Sequence, residues 1–223
     1  MMSSYLQLNN VSLYLQEKKL LKNINLLVEP GEFVSLVGSS GSGKSTLLKL
    51  CSSLLSPSSG NLSFKGKDFI EWDLLQLRRE ISYCFQAPVL FGATVLDNFK
   101  FPFELRNQKI NLTRCHELLE SFCLPEEIIS QQNHQLSGGE KQRIALIRRL
   151  LFVPEILLLD EVTSALDASN TAIVEAQMMK LNRQGVTILW VTHDVAQSHR
   201  IATRTLEVEQ GSLDFKADKL CMP

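Results

Sequence analysis

Long apolar runs are missing from this sequence, and so is any excess of charge of one sign. Stretches such as Ile156-Leu157-Leu158-Leu159 are the length of a strand, whereas a bilayer-crossing helix needs about 20 predominantly apolar residues. A role at a membrane would therefore need another chain to supply the membrane part. With 23 basic and 24 acidic side chains the formal net charge is -1, so no overall positive field gathers nucleic acid, and none is expected as a partner. The five cysteines, Cys51, Cys84, Cys115, Cys123 and Cys221, form no CxxC pair. That excludes a disulfide framework and a zinc site, and the thiols read as reduced, cytosolic and mostly core filler. No basic residue precedes Lys18 and no early apolar segment has signal-peptide length, so the expected location is the cytoplasm. Internal repeats and low-complexity tracts are absent as well.

What is present is a chain of 223 residues, long enough for a sizeable core and read as one domain carrying an inserted subdomain. β-type patterns occupy 4–15, 24–28 and 33–37, with the turn Pro30-Gly31 before the last. Residues 44–50 have helical composition, and 81–85 and 156–159 are short apolar runs of the kind buried on both faces. Alternation of such strands with helices implies an α/β fold. Between Pro88 and Val153 the pattern turns helical, at 113–122 and 137–151, and is expected to be broken by Pro102 and Pro125. Strands return at 186–191 and 205–208 with a helix at 169–181, and the residues from Gly211 onward are too few for a further domain.

The stretch GSSGSGKST at 38–46 fits G-x-x-x-x-G-K-[ST] through Gly38, Gly43, Lys44 and Ser45, between an apolar strand and a helix. In Gly38, Ser39, Ser40, Gly41, Ser42 and Gly43 the glycines let backbone N–H groups converge on phosphate oxygens, and the helix N-terminus adds partial positive charge. Lys44 reaches the β and γ phosphates, the Ser45 hydroxyl can ligate magnesium, and Thr46 completes the run. EILLLDE at 155–161 supplies Asp160 at a strand end and Glu161 after it. A strand ending in Asp-Glu could merely start a loop; beside a phosphate loop, Asp160 reads as a magnesium holder and Glu161 as the base that activates water.

A second glycine-rich loop, LSGGE at 136–140, enters the helix continuing KQRIALIRRLL, in which Ile144, Ile147 and Leu151 share a face. Ser137 and Glu140 have capping-box spacing. An ordinary capped helix would read the same way, but Gly138 and Gly139 at a helix start cost stability unless something must approach closely. The loop is therefore read as a second anion receptor.

The ordered set GSSGSGKST, Gln86, LSGGE, LLLDE, SALD and His193 resembles the nucleotide-binding domain of ATP-binding cassette (ABC) proteins over essentially the whole chain. The resemblance implies an α/β P-loop NTPase core of ABC ATPase type with an antiparallel β subdomain. That core would comprise 1–86 and 154–223, with a helical subdomain inserted at 87–153. It implies an ATPase that uses ATP and Mg2+. Two copies would meet head to tail so that each P-loop nucleotide is completed by Ser137, Gly138 and Gly139 of the other. Tyr14 matches the aromatic that stacks on adenine, with a core-packed strand tyrosine as the alternative. Gln86 matches the glutamine that contacts magnesium and senses the membrane subunit, and Ser164 to Asp167 match the loop linking the active sites. Asp167 also suits a helix N-cap, and His193 matches the histidine that contacts the γ-phosphate. His116, His134 and His199 match no motif and read as surface residues.

The expected partners are a second copy and a separate polytopic permease, met at the cytoplasmic face of the inner membrane. Val89, Leu90, Phe91, Phe99, Phe101 and Phe103 offer a surplus of apolar side chains for docking it beyond the needs of the subdomain core. Within the family, YCFQAPVLFGATVLDNFKFPFELRN, LIRRLLFVPEILLLDEVTSALD and ILWVTHD look most like the ATPase subunits of bacterial iron exporters. No heptad insertion supports a DNA-repair role and no second cassette a ribosomal one. A non-transport role at the membrane, in cell division or lipoprotein release, would carry the same motifs.

Overall fold

The computed structural model describes residues 5–16 and 18–214, so Cys221 and the start of the 4–15 pattern lie outside the described residues. The chain divides into two compact units. The first holds the described residues up to Tyr83, Glu155–Glu161 and those from Asn182 on; the second holds Cys84–Pro154 and Val162–Leu181.

In the first unit, β1 (Leu6–Leu15) and β2 (Lys18–Val28) form an antiparallel hairpin, and β4 (Ser59–Phe64) and β5 (Lys67–Asp68) extend it into a sheet of order β2-β1-β4-β5. Along β2 the buried side chains are Leu21, then Ile24, Leu26 and Val28. The phase slips once, at Asn23, whose φ of 47° marks an irregularity in the pleat. A second sheet has the order β10-β9-β3-β8-β7-β6. It comprises β3 (Phe33–Val37), β6 (Ile81–Cys84), β7 (Ile156–Asp160), β8 (Thr187–Val191), β9 (Arg204–Glu209) and β10 (Ser212–Asp214). β3 runs parallel to both β8 and β9, and β7 parallel to β8. Every residue of β7 and β8 is buried, which is why these strands read as continuous apolar runs rather than alternating ones. Helix α1 (Lys44–Cys51) buries Leu47, Leu48, Leu50 and Cys51 in the same core. Helix α2 (Leu74–Glu80) is capped by Asp73, and α7 (Val195–Ile201) by Asp194. The early strand patterns were legible in the sequence; β4, β5 and α2 were not.

The second unit is helical, with α3 (Val95–Glu104), α4 (Leu112–Ser121), α5 (Gly138–Leu150) and α6 (Ala168–Arg183), the last running two residues beyond it. Pro102 corrects a sequence expectation: it lies inside α3 instead of breaking the helix. A proline in a helix interior costs ~3 kcal/mol. Here it is the third-last residue of the helix, so only the last turn bears the lost hydrogen bond, and Leu105 N–H still reaches the Phe101 carbonyl at 3.1 Å. The ring is buried beside Phe99 and Phe103, and a capping box between Thr94 and Asp97 secures the other end. Pro125 does precede a short 3-10 turn, Glu126–Ser130.

Candidate functional site

Because β3, β7 and β8 are parallel, their carboxyl ends share one edge of the sheet, where open α/β sheets place their ligands. Three segments leave that edge: Gly38 after β3, Asp160-Glu161 at the end of β7, and Thr192-His193 after β8. The backbone ties them together. Glu161 N–H donates to the Val191 carbonyl at 3.1 Å, and Thr192 N–H to the Leu36 carbonyl at 3.2 Å.

The loop from Gly38 to Gly43 wraps the start of α1. Gly38 has φ +141° and a Cβ there would stand 2.2 Å from the Val208 carbonyl oxygen, so no side chain fits. The turn between β9 and β10 braces the loop from outside, with Gly211 N–H donating to the Ser42 carbonyl at 2.9 Å. Ser39, Ser40 and Gly41 are exposed, whereas Lys44 is buried. Its Nζ donates to the Gly38 and Ser39 carbonyls at 2.9 and 2.8 Å. Burial lowers the lysine pKa, and the nearby Glu161 and Asp160 carboxylates counter that shift. The Ser45 hydroxyl donates to Asp160 Oδ1 at 2.8 Å, and the buried Tyr83 hydroxyl donates to Asp160 Oδ2 at 2.5 Å. Asp160 is only 5% exposed, and these two hydroxyls satisfy a charge that would otherwise be costly to bury.

Glu161 has φ 50°, the left-handed region, at a cost of ~1–2 kcal/mol for a residue with a side chain. Its Oε1 lies 2.6 Å from His193 Nε2. The turn carrying His193 is locked by a buried bond from Thr192 Oγ1 to Gln197 Oε1 at 2.6 Å and by Asp194 N–H donating to Thr192 Oγ1 at 3.0 Å. Thus Lys44, Ser45, Asp160, Glu161 and His193 are brought together in one unit. Tyr83, Thr192 and Gln197 support them and carried no motif signal.

The donor set suits a magnesium phosphate ligand. Ser45 and Asp160 present the hard oxygen atoms that Mg2+ prefers. Ser42 Oγ is buried and has no hydrogen-bond partner among the described residues, a hydroxyl that a phosphate oxygen would satisfy.

Tyr14, near the end of β1, is 46% exposed with Lys19 Nζ 5.1 Å from its ring centroid. It is not packed in the core, and the Lys19 ammonium lies over its ring. It follows Leu13, which pairs with Leu21, and a Cβ on Gly43 would lie 2.9 Å from Leu21.

The remaining sequence candidates belong to the second unit. Gln86 is exposed just beyond β6. Ser137 caps α5: its hydroxyl accepts from Glu140 N–H at 3.3 Å, and Glu140 Oε2 accepts from Ser137 N–H at 2.8 Å. The Ser137 N–H and then the Ser137 hydroxyl, which also donates to Glu140 Oε2 at 2.8 Å, hold the Glu140 carboxyl below its ordinary pKa. Gly138 is exposed, with nothing within 4 Å of a Cβ, so the first turn of α5 is open to close approach. Gly139 lies against Asn170 and Leu166. Asp167 Oδ1 accepts from Asn170 N–H at 2.8 Å, the cap expected of it, and the same bond lowers its pKa. His116 pairs with Glu126 at 3.1 Å, and His134 and His199 are exposed. No helix among the described residues is long and apolar enough to cross a membrane.

The ABC transporter family matches residues 21–164. The Escherichia coli (strain K12) protein named "Probable iron export ATP-binding protein FetA" is 46% identical over 95% of each chain. Among solved structures, the ATP-binding cassette MJ0796, a dimer in a post-hydrolysis state bound to ADP and Pi, superposes with a TM-score of 0.86. It is 32% identical, over 96% of this chain and 99% of that one. Clostridium perfringens cbiO1, part of the ABC transporter complex cbiONQ, gives a TM-score of 0.82 at 27% identity, over 96% and 88%.

Proposed function

This chain belongs to the ABC transporter family of ATPases, and from that premise we propose that it is the ATP-hydrolysing subunit of a transporter whose permease is a separate membrane protein. The observation that carries the reading is the pairing of Glu161 with His193 on the sheet edge that also holds Lys44, Ser45 and Asp160. Lys44 exchanges the carbonyls of Gly38 and Ser39 for phosphate oxygens, and Gly38 to Thr46 wrap the phosphates. Ser45 and Asp160 would hold a magnesium ion, which would supply neutralisation of the phosphate charge. Glu161 orients the attacking water and accepts its proton, while His193 fixes the Glu161 carboxylate and faces the γ-phosphate. Tyr14 stacks on the adenine.

The exposed Ser137-Gly138-Gly139 turn of a second copy closes over the nucleotide, so that two chains make two sites. Closure on ATP drives the permease and hydrolysis reopens the pair. Gln86 is the residue that senses the permease, and the working place is the cytoplasmic face of the cell membrane. The likeness to the E. coli protein named for iron export, over nearly the full length of both chains, supports iron export as the finer reading. The test is affinity purification of the chain from gently solubilised native membranes, with phosphate release measured on the product. Recovery of one polytopic membrane protein that changes the Mg-dependent ATPase rate is expected. Recovery of soluble proteins alone, or of a cell-division or lipoprotein-sorting complex, would overturn the transport reading.

A further inference from the structure

Helix α5 buries two arginines that the sequence pattern of Ile144 and Ile147 did not announce, Arg143 and Arg148. Arg148 is 6% exposed and held only by neutral groups. Its Nη1 donates to Asn98 Oδ1 and its Nη2 to the Val89 carbonyl, both at 2.8 Å, and its guanidinium lies 4.2 Å from the Phe91 ring centroid. Burial first and the adjacent Arg149 second lower its pKa to about 10. Arg149 is half-buried and, among the described residues, makes no hydrogen bond or ion pair. Both arginines line one small pocket in the second unit, whose apolar walls include Phe85, Pro88, Val89 and Leu146, and no carboxylate lines it. Phe85 and Val89 are 44% and 54% exposed, and Phe91 continues the face to Phe101 with ring centroids 4.9 Å apart.

Two neighbouring guanidiniums in a partly dehydrated, apolar-rimmed pocket repel one another and leave one planar fork of donors unmatched. The chemistry that answers both is a carboxylate, which a guanidinium engages through paired N–H donors. On the premise that the chain serves a permease, we propose that Arg149 is a specificity-determining contact for it. It pairs with an aspartate or glutamate on an otherwise apolar cytoplasmic segment of that permease, which seats on Phe85, Val89 and Phe91. Arg148 is the positioning residue that holds the Val89 and Phe91 loop in place for this contact.

The test uses the complex recovered from native membranes. Arg149→Glu should lower recovery of the polytopic protein by about tenfold or more, with Arg149→Lys within about threefold of the wild type. Thermal unfolding of each variant is measured alongside, to separate lost contact from lost fold. Treating the Arg149→Lys complex with a water-soluble carbodiimide should join the introduced amine to a permease carboxylate, located by mass spectrometry. Arginine substitution of that acid should restore recovery with Arg149→Glu. Equal recovery of the wild type and a folded Arg149→Glu variant would overturn the proposal. So would carbodiimide links between chain and permease that never involve the introduced amine. If the wild-type chain recovers no polytopic protein at all, the transporter reading falls and the proposal with it, an outcome distinct from the other two.

Discussion

Replacing Tyr83 with phenylalanine removes a single hydroxyl whose oxygen sits 2.5 Å from Asp160 Oδ2, to which it donates in a buried setting. The ring of Tyr83 is 5% exposed and the substitution keeps it, so packing is conserved and the lost group is the hydrogen bond alone. A buried carboxylate deprived of one donor costs about 1–3 kcal/mol. For a chain of this size that lowers the unfolding midpoint by about 2–12 °C. The same energy bears on metal affinity, because Asp160 retains only the Ser45 hydroxyl at 2.8 Å to hold its plane. At 1.4 kcal/mol per decade the half-saturating Mg2+ concentration for phosphate release should rise about 5- to 150-fold. Calorimetric unfolding without nucleotide reads the first effect, and a magnesium titration at saturating ATP reads the second. An unchanged midpoint would refute the stability argument. A shifted midpoint with an unchanged Mg2+ requirement would show that the Tyr83 bond does not position Asp160 for the metal.

Other residues make separate predictions. Glu161→Gln should lower turnover by about 10²–10⁴-fold while sparing binding, leaving an ATP-stabilised dimer visible by light scattering; wild-type turnover would remove Glu161 from its role. In Gly38→Ala the new Cβ would press on the Val208 carbonyl at 2.2 Å, so nucleotide titration should show affinity lost, and denaturant unfolding should show stability lowered by about 1–3 kcal/mol. Ser137→Arg places a bulky cation on the exposed α5 turn and should abolish ATP-dependent dimerisation without abolishing nucleotide binding by the monomer. Glu140 and Asp167 have folded-state pKa values held down by the bonds they accept. The stability they add is complete above the ordinary carboxylate range and is lost as the pH falls through the folded values. Glu140→Gln should therefore make the thermal midpoint less sensitive to acid on that limb.

The site was legible wherever chemistry is encoded in consecutive residues. The phosphate loop, Asp160-Glu161, the Ser137 capping box and the Asp167 cap each depend on spacings of a few positions. The buried strands β3 and β7 were legible for the same reason, since a strand covered on both faces must be apolar along its length. Helix α3 was not, because Pro102 is a local signal against a helix and only burial of its ring and two phenylalanines outweighs it. The short β4 and β5 were missed because β4 is rich in Ser, Gly and Asn and β5 has only two residues, Lys67 and Asp68, so both look like turns until a partner strand satisfies them.

By itself the sequence determined the phosphate-loop pattern, the Asp160-Glu161 strand end and the capped helix starts, because backbone cradles and capped helix ends are built by neighbours along the chain. Tertiary structure alone decided how those side chains are held. Tyr83 reaches Asp160 across 77 positions. The left-handed turn at Glu161 is set by a hydrogen bond to Val191. Arg148 is buried without a carboxylate by contacts from Asn98 and Val89. Each depends on desolvation and on partners distant in the chain, and a charge or hydroxyl takes its energy from those surroundings rather than from the residues beside it.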